Sequence, residues 1–173
     1  ERAVKRLNAK KEDTTQASNL VSGDSEAVKR LNEAIARAAK MRTPLLINGE
    51  SGTQKTSLAA AIHARSELAE APMLIINAKN ADEQELREKL FDAEGGPSST
   101  LESARDGVLL LANIDHLPLS LQAPLGNLIR DLKSEVRIIC TCSRDLEAQI
   151  DAGRFEDALF FRISTNVLNI PSL

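Results

Sequence analysis

Residues 45–56 read Leu-Leu-Ile-Asn-Gly-Glu-Ser-Gly-Thr-Gln-Lys-Thr and decide the fold. The apolar start predicts a buried strand, and the Ala-rich residues 57–68 predict a helix directly after the loop. The loop approaches the pattern G-x-x-x-x-G-K-[ST], whose backbone N–H groups surround phosphates, whose lysine reaches the terminal ones and whose last hydroxyl holds Mg²⁺. The candidate nucleotide-binding residues are Gly49, Glu50, Ser51, Gly52, Thr53, Gln54, Lys55 and Thr56, with Thr56 also a weak metal contact through nucleotide-bound Mg²⁺.

Gln54 stands where the pattern has a glycine. Glycine lets the backbone approach phosphate and adopt left-handed conformations that cost other residues about 1–2 kcal/mol. Gln54 is therefore expected to weaken nucleotide binding, and Gln54→Gly to tighten it. Lys55, Thr56 and the positive end of the following helix still favour an anion. Two alternatives stay open. The loop either binds ATP or ADP with Mg²⁺ weakly, or it is an empty loop that serves only the structure.

Length and composition narrow the class of protein. The chain has 173 residues, 42% hydrophobic and 27% charged, which is typical of one soluble globular domain. A net charge of −3 provides no basic surface for nucleic acid, so DNA contact is expected only through a separate domain. The sequence has no apolar run of the ~20 residues that a membrane span needs and no signal peptide. A cytoplasmic location without membrane contact is expected.

Apolar runs alternate with helical patterns from residue 19 to 173, which predicts an α/β domain with a five-stranded parallel sheet flanked by helices. The predicted strands are 44–47, 72–77, 107–111, 136–142 and 165–170, and the main predicted helices are 57–68, 82–91, 121–132, 145–150 and 154–161. Another helix, capped by Asp24 or Ser25, precedes the first strand. Residues 1–18 predict the end of an upstream helix and a linker.

Cys140 and Cys142 lie two positions apart in a predicted strand, and the sequence has no other cysteine. They are too close in sequence for an easy disulfide, and no further cysteine completes a metal site. Buried free thiols are therefore favoured over a redox or metal role.

Six segments carry a wider resemblance. They are Leu-Val-Ser-Gly-Asp-Ser at 20–25, Asn-Gly-Glu-Ser-Gly-Thr-Gln-Lys-Thr at 48–56, Ala-Ile-His at 61–63, Leu-Pro-Leu-Ser-Leu-Gln-Ala at 117–123, Ser-Arg-Asp-Leu-Glu-Ala at 143–148 and Gly-Arg-Phe-Glu-Asp-Ala-Leu-Phe-Phe-Arg-Ile at 153–163. In this order they resemble the AAA+ central domain of bacterial enhancer-binding proteins, the response regulators and other activators that open promoters for sigma-54 RNA polymerase. The resemblance implies an AAA+ P-loop NTPase core, ring assembly around ATP, and a helical lid that would follow residue 173 and is absent from this sequence.

The resemblance also implies an Asp-Glu pair at the end of the strand 107–111, where Asp supports Mg²⁺ and Glu polarises the attacking water. Ala112 and Asn113 stand there, and neither carries a negative charge. Phosphoryl transfer depends on such charges, so the domain is expected to be degenerate as an ATPase. Asp115 is the nearest carboxylate. It either caps or solvates the turn before residue 117, or substitutes for the missing acid.

Further positions differ from the family. Asn77 matches an asparagine that restrains the catalytic glutamate, but its partner here would be Asn113, which leaves nothing to restrain. The sensor pair, usually Thr-Asn, reads Cys-Ser, and Ser143 reaches less far toward a γ-phosphate. In the arginine-finger segment Glu156 replaces the first arginine and Arg162 keeps the second. A carboxylate facing a neighbouring subunit's nucleotide would repel phosphate.

The loop with which the family grips sigma-54, Gly-Ala-Phe-Thr-Gly-Ala, is replaced by Glu-Gly-Gly-Pro-Ser-Ser at 94–99. Sigma-54 is therefore not expected as a partner. The favoured interpretation is a regulatory domain of a transcription regulator that oligomerises or relays a signal without ATP turnover. Its expected partners are further copies of itself, RNA polymerase, or other regulatory domains of the same chain. The alternatives are a working ATPase that uses a substitute such as Asp115, and a scaffold or adaptor outside transcription.

Overall fold

The computed structural model describes residues 24–132 and 135–171. The predicted helix end and linker at 1–18 lie outside the described residues, as do residues 19–23 of the predicted domain. In chain order the elements are α1 (Glu26–Lys40), β1 (Leu45–Asn48), α2 (Lys55–Ala64), β2 (Met73–Asn77), α3 (Glu83–Leu90), α4 (Ser99–Glu102), β3 (Val108–Ala112), a 3-10 turn (Ile114–His116), α5 (Leu119–Leu132), β4 (Arg137–Cys142), α6 (Leu146–Asp151), α7 (Asp157–Ile163) and β5 (Asn166–Asn169).

The five strands form one sheet in the order β2-β3-β4-β1-β5, and every pairing is parallel. The central strands β3 and β4 are buried along their whole length. This is the pattern of a sheet covered on both faces, because helices connect parallel strands by crossing over the faces. The predicted α/β class and the five-stranded parallel sheet are confirmed.

Each face of the sheet carries its own apolar layer. On one face Leu110 and Ile139 pack with Ile35 of α1 and Ile62 of α2. The opposite face, which includes Leu109 of β3, packs against α3, α5 and α7. Neighbouring residues of a strand point to opposite faces, so the uniformly apolar β3 and β4 serve both layers. Both cysteines lie on the second face as buried free thiols, as predicted.

Local hydrogen bonding moves several boundaries away from the predicted ones. Helix α2 ends at Ala64 and not at residue 68, because the Ser66 hydroxyl bonds to the carbonyl of His63 and to the N–H of Leu68. The short helix α4, which the sequence did not predict, begins where Ser98 accepts a bond from the N–H of Leu101. None of the helices within the described ranges is long and apolar enough to cross a membrane.

Gln122 is a buried polar side chain that joins three segments. Its Nε2 donates to the carbonyls of Leu117 at 2.9 Å and Arg154 at 3.2 Å. Its Oε1 accepts from the N–H of Glu156 at 2.8 Å. Helix α7 has no side-chain cap of its own, so Gln122 supplies a bond that the start of this helix otherwise lacks.

We expect Gln122→Leu to lower the free energy of unfolding by about 2–3 kcal/mol, because buried backbone groups lose their partners. Urea unfolding followed by circular dichroism measures the change. Gln84→Leu is the matched control, since Gln84 is exposed on α3 and its side chain donates to the exposed Glu88. Its effect should stay within about 0.5 kcal/mol. Equal losses in the two variants would contradict a bracing role for Gln122.

Candidate nucleotide-binding site

The loop between β1 and α2 begins at the carboxyl end of β1. This strand lies between β4 and β5 in the sheet. The N–H of Gly49 donates to the carbonyl of Cys142 at 3.2 Å, and the N–H of Ile170 donates to the carbonyl of Asn48 at 2.8 Å. A Cβ atom at Gly49 would lie 2.8 Å from the Thr53 hydroxyl and 3.0 Å from the Ile170 Cβ atom. A side chain at Gly49 would require Thr53 and Ile170 to shift, so glycine is favoured here. The two backbone bonds join the start of the loop to the segments on either side.

Lys55 is buried inside this loop. Its ammonium donates to the carbonyls of Gly49 at 2.9 Å and Glu50 at 2.8 Å. The third donor direction meets the Thr53 hydroxyl at 3.4 Å, which is a long contact for a charged donor. A phosphate oxygen that replaced the hydroxyl would gain a stronger bond. Burial lowers the pKa of Lys55, while the negative charge of Asp115 acts in the opposite direction.

Gln54 has φ 53° and ψ 40°, which is the left-handed conformation that glycine adopts without strain. It precedes α2 and makes no side-chain cap bond, and its side chain is exposed. Gly52, at φ 87°, is the other left-handed residue of the loop. Glu50, Ser51 and Thr56 are exposed around the helix start, where an anion and its metal would lie.

The positions expected to carry the acids lie at the carboxyl end of β3. Ala112 is buried and ends the strand, paired with Asn77 of β2. The Asn113 backbone is left-handed at φ 55°, and its N–H donates to the Thr141 hydroxyl at 3.0 Å. The Asn113 side-chain amide donates to Asn77 Oδ1 at 2.9 Å. The structure therefore brings Asn77 and Asn113 together as a neutral pair of amides.

Asp115 lies in the 3-10 turn after Asn113, and its side chain has 0% exposure. Neither carboxylate oxygen has a hydrogen-bond partner. The nearest basic nitrogens are His116 Nε2 at 3.8 Å and Arg144 Nε at 3.9 Å. The interpretation that Asp115 caps or solvates its turn is wrong, because packing of the turn against β4 buries the carboxylate. Residue type and position in the sequence gave no sign of this burial.

Cys142 and Ser143 occupy the sensor position at the end of β4. The Cys142 thiol lies 3.5 Å from Asn48 Oδ1. Burial raises the pKa of this thiol to about 12, with the Asp115 carboxylate acting in the same direction and Lys55 against it. The thiol is therefore neutral at physiological pH. Ser143 is half-buried just beyond the strand.

Arg162 lies on α7 and is half-buried. Its Cδ atom would be 3.7 Å from a Cβ atom placed at Gly126, so the side chain runs along α5 of its own chain. Glu156 immediately precedes α7. Phe161, beside Arg162, is 73% exposed and is the most exposed of the large apolar side chains within the described residues.

The parallel five-stranded sheet, with a lysine-containing loop at the carboxyl end of β1, defines a P-loop NTPase domain of the AAA+ class. The chain belongs to the sigma-54 interaction domain family, whose pattern it matches over residues 22–173. This is the AAA+ central domain of bacterial sigma-54-dependent activators, as the sequence segments predicted.

Similar proteins and similar solved structures support this family membership. The regulatory protein AtoC of Escherichia coli K12 is 34% identical over 169 residues, which cover 87% of this chain and 37% of AtoC. NtrX of Brucella abortus, solved in complex with ADP, has a TM-score of 0.83 and 28% identity, over 98% of this chain and 42% of NtrX. NtrX solved with ATP has a TM-score of 0.79 and 30% identity, over 87% and 36%. The chain spans between 33% and 49% of the length of such curated relatives.

We expect Gln54→Gly to raise the free energy of unfolding by about 0.5–1 kcal/mol, because relief of left-handed strain exceeds the added entropy of the unfolded chain. Nucleotide affinity should also rise, by up to about tenfold. The full tenfold gain is reached only if the backbone strain of Gln54 is present in the nucleotide-bound state alone. Urea unfolding and calorimetric titration with ADP and a non-hydrolysable ATP analogue separate the two effects.

Asp106→Gly is the control for this comparison, since Asp106 is also left-handed at φ 62° and lies at the opposite end of the sheet. It should change stability in the same direction, by less because Asp tolerates this conformation better, and leave nucleotide affinity unchanged. If Gln54→Gly alters neither stability nor affinity, the strain argument fails.

Proposed function

We propose that this chain is the AAA+ domain of a bacterial transcription regulator that binds nucleotide with Mg²⁺ weakly and oligomerises or relays a signal without turning over ATP. The observation that carries the proposal is the bond between Asn113 and Asn77. In the reaction that the family resemblance implies, a carboxylate polarises the attacking water at position 113. Here the neutral amide of Asn113 cannot act as a base, and its nitrogen already donates to Asn77.

Nucleotide binding is supported by the geometry of the loop. Lys55 is placed by two backbone carbonyls at the start of α2, so its charge and the helix terminus point to the same place. NtrX, part of whose chain has the same fold, is solved in complex with ATP and with ADP. We expect the left-handed Gln54 to reduce the affinity without removing the site.

Hydrolysis lacks support from the same region. Ala112 offers no ligand atom, and Asn113 offers no base. Charge stabilisation and water orientation are the protein's main contributions to phosphoryl transfer. We therefore favour a nucleotide-dependent structural role over the alternative of a working ATPase.

We expect phosphate release by the protein to lie at least about 10²–10³-fold below that of active members of the family, since loss of one such group typically has this effect. A sensitive phosphate-release assay at high protein concentration measures it. Lys55→Ala controls for contaminating ATPases. The rate of phosphate release by wild type should not exceed the rate measured with this variant. Turnover that Lys55→Ala abolishes would contradict the proposal.

The connection between α3 and α4 bears on the sigma-54 partner. The Asp92 carboxylate accepts from the N–H groups of Glu94 at 2.9 Å and Gly96 at 2.8 Å. The Asp92 N–H donates to the Gly96 carbonyl at 2.9 Å, and Phe91 pairs with Pro97 through a β-bridge. These bonds close a short turn, in which no Phe-Thr pair is presented.

Membership of the family favours sigma-54 as a partner, whereas this turn argues against it. We expect no recovery of sigma-54 when the immobilised protein is tested in a pull-down, with ADP, with a non-hydrolysable ATP analogue or without nucleotide. A family member that carries the Phe-Thr loop serves as the positive control. Nucleotide-dependent recovery at a level close to that control would overturn this part of the proposal.

Partners of other kinds fit the proposed role. The exposed Phe161 beside Arg162 on α7 supports contact with a further copy of this domain. Other domains of the same regulator and RNA polymerase are the remaining proposed partners, and DNA would be bound by a separate domain. The proposed location is the cytoplasm, where transcription takes place.

A further inference from the structure

The Asp115 carboxylate is a buried charge whose oxygens both lack a hydrogen bond. Taking an ion out of water costs several kcal/mol unless a partner compensates it. Its nearest guanidinium, on Arg144, is 3.9 Å away and 51% exposed, which makes the ion pair a weak one. A group that is costly to bury and poorly compensated within its own chain is a candidate for an external ligand.

The ligand that fits is a cation held partly by phosphate. Asp115 lies in the 3-10 turn that follows β3, and this turn packs against β4, whose carboxyl end receives the N–H of Gly49 at the start of the loop. The carboxylate therefore lies at the same edge of the sheet as Lys55, and its charge opposes the lowering of the Lys55 pKa. Within the described residues, no group of three or more His, Cys, Asp or Glu side chains could hold a metal ion without help. Mg²⁺ suits such a place, because it is usually held by one or two carboxylates together with waters and substrate phosphates.

The residues next to Asp115 cannot supply a carboxylate to the metal. Ala112, at the position where the family resemblance implies the metal-supporting acid, has only a methyl group. The Asn113 side chain is turned toward Asn77. Thr56 is exposed in the first turn of α2, where its hydroxyl is available as a second oxygen ligand.

We propose that Asp115 is the carboxylate that faces nucleotide-bound Mg²⁺ in this domain and takes the place of the acid missing at Ala112. The inference rests on the proposed nucleotide binding. It supplies the metal-facing charge and no base for water, so it is consistent with binding in the absence of turnover.

The test compares wild type with Asp115→Asn by calorimetric titration of a non-hydrolysable ATP analogue, once with Mg²⁺ and once with EDTA. With Mg²⁺, Asp115→Asn should bind about tenfold more weakly, as is typical when a group that supports a metal is removed. With EDTA it should bind as tightly as wild type or more tightly, because a negative charge near the phosphates is gone. Asp131→Asn, the same change at an exposed aspartate of α5, should alter neither titration.

A change in the same direction under both conditions would overturn the inference. Stronger binding in both would show a carboxylate that merely repels phosphate, and weaker binding in both would show a structural role. Absence of binding by wild type under both conditions would instead contradict the proposed function. Binding by wild type that does not depend on Mg²⁺ would overturn the inference alone.

Stability provides a second measurement that does not depend on nucleotide. If Asp115 is held for a ligand, Asp115→Asn removes an uncompensated buried charge and should raise the urea midpoint. A lowered midpoint, matched by Arg144→Gln, would identify a structural ion pair and overturn the inference. If Asp115→Asn does not fold, Asp115→Glu replaces it in both titrations, and the inference requires that only the affinity measured with Mg²⁺ differs from that of wild type.

Discussion

The two hydrogen bonds from the Lys55 ammonium to the carbonyls of Gly49 and Glu50 are the contacts on which the site depends. They hold a buried charge at the start of α2 and close the loop around it. The loop can hold this shape because its first residue is bonded to β4 and its strand lies between β4 and β5. The parallel sheet thereby determines where the lysine, the helix terminus and the ends of β3 and β4 meet.

Negative charge is distributed unusually around this point. The neutral pair Asn77 and Asn113 lies at the ends of β2 and β3, whereas a carboxylate occurs at Asp115, buried and without hydrogen bonds. The Cys142 thiol between them and the loop is neutral, because burial raises its pKa to about 12. The site therefore has one carboxylate, that of Asp115, and the amide of Asn113, which cannot act as a base. The reaction implied by the family would use two carboxylates. This arrangement suits occupancy by a nucleotide better than its hydrolysis.

Much of the fold could be predicted because the signals are local. Apolar runs marked all five strands, and the spacing of Gly49, Lys55 and Thr56 placed the loop at the carboxyl end of β1. The predicted end of α2 was wrong and the start of α4 was missed. A single hydroxyl decides each boundary, that of Ser66 for α2 and that of Ser98 for α4. The strand order and the burial of Asp115 arise from contacts between distant segments, which no pattern along the chain encodes. The pairing of Asn77 with Asn113 was accessible only through the resemblance, because 36 positions separate them in sequence.

The three bonds of Gln122 join the turn at Leu117, two residues after Asp115, to the start of α7. Helix α7 presents Phe161 to the surroundings, so a partner that docks on Phe161 contacts a helix whose start is joined by Gln122 to the turn at Leu117. A displacement of α7 must either carry the 117 turn with it or break buried bonds. Gln122 therefore couples the position of α7, which carries the exposed Phe161, to the position of the turn that follows Asp115.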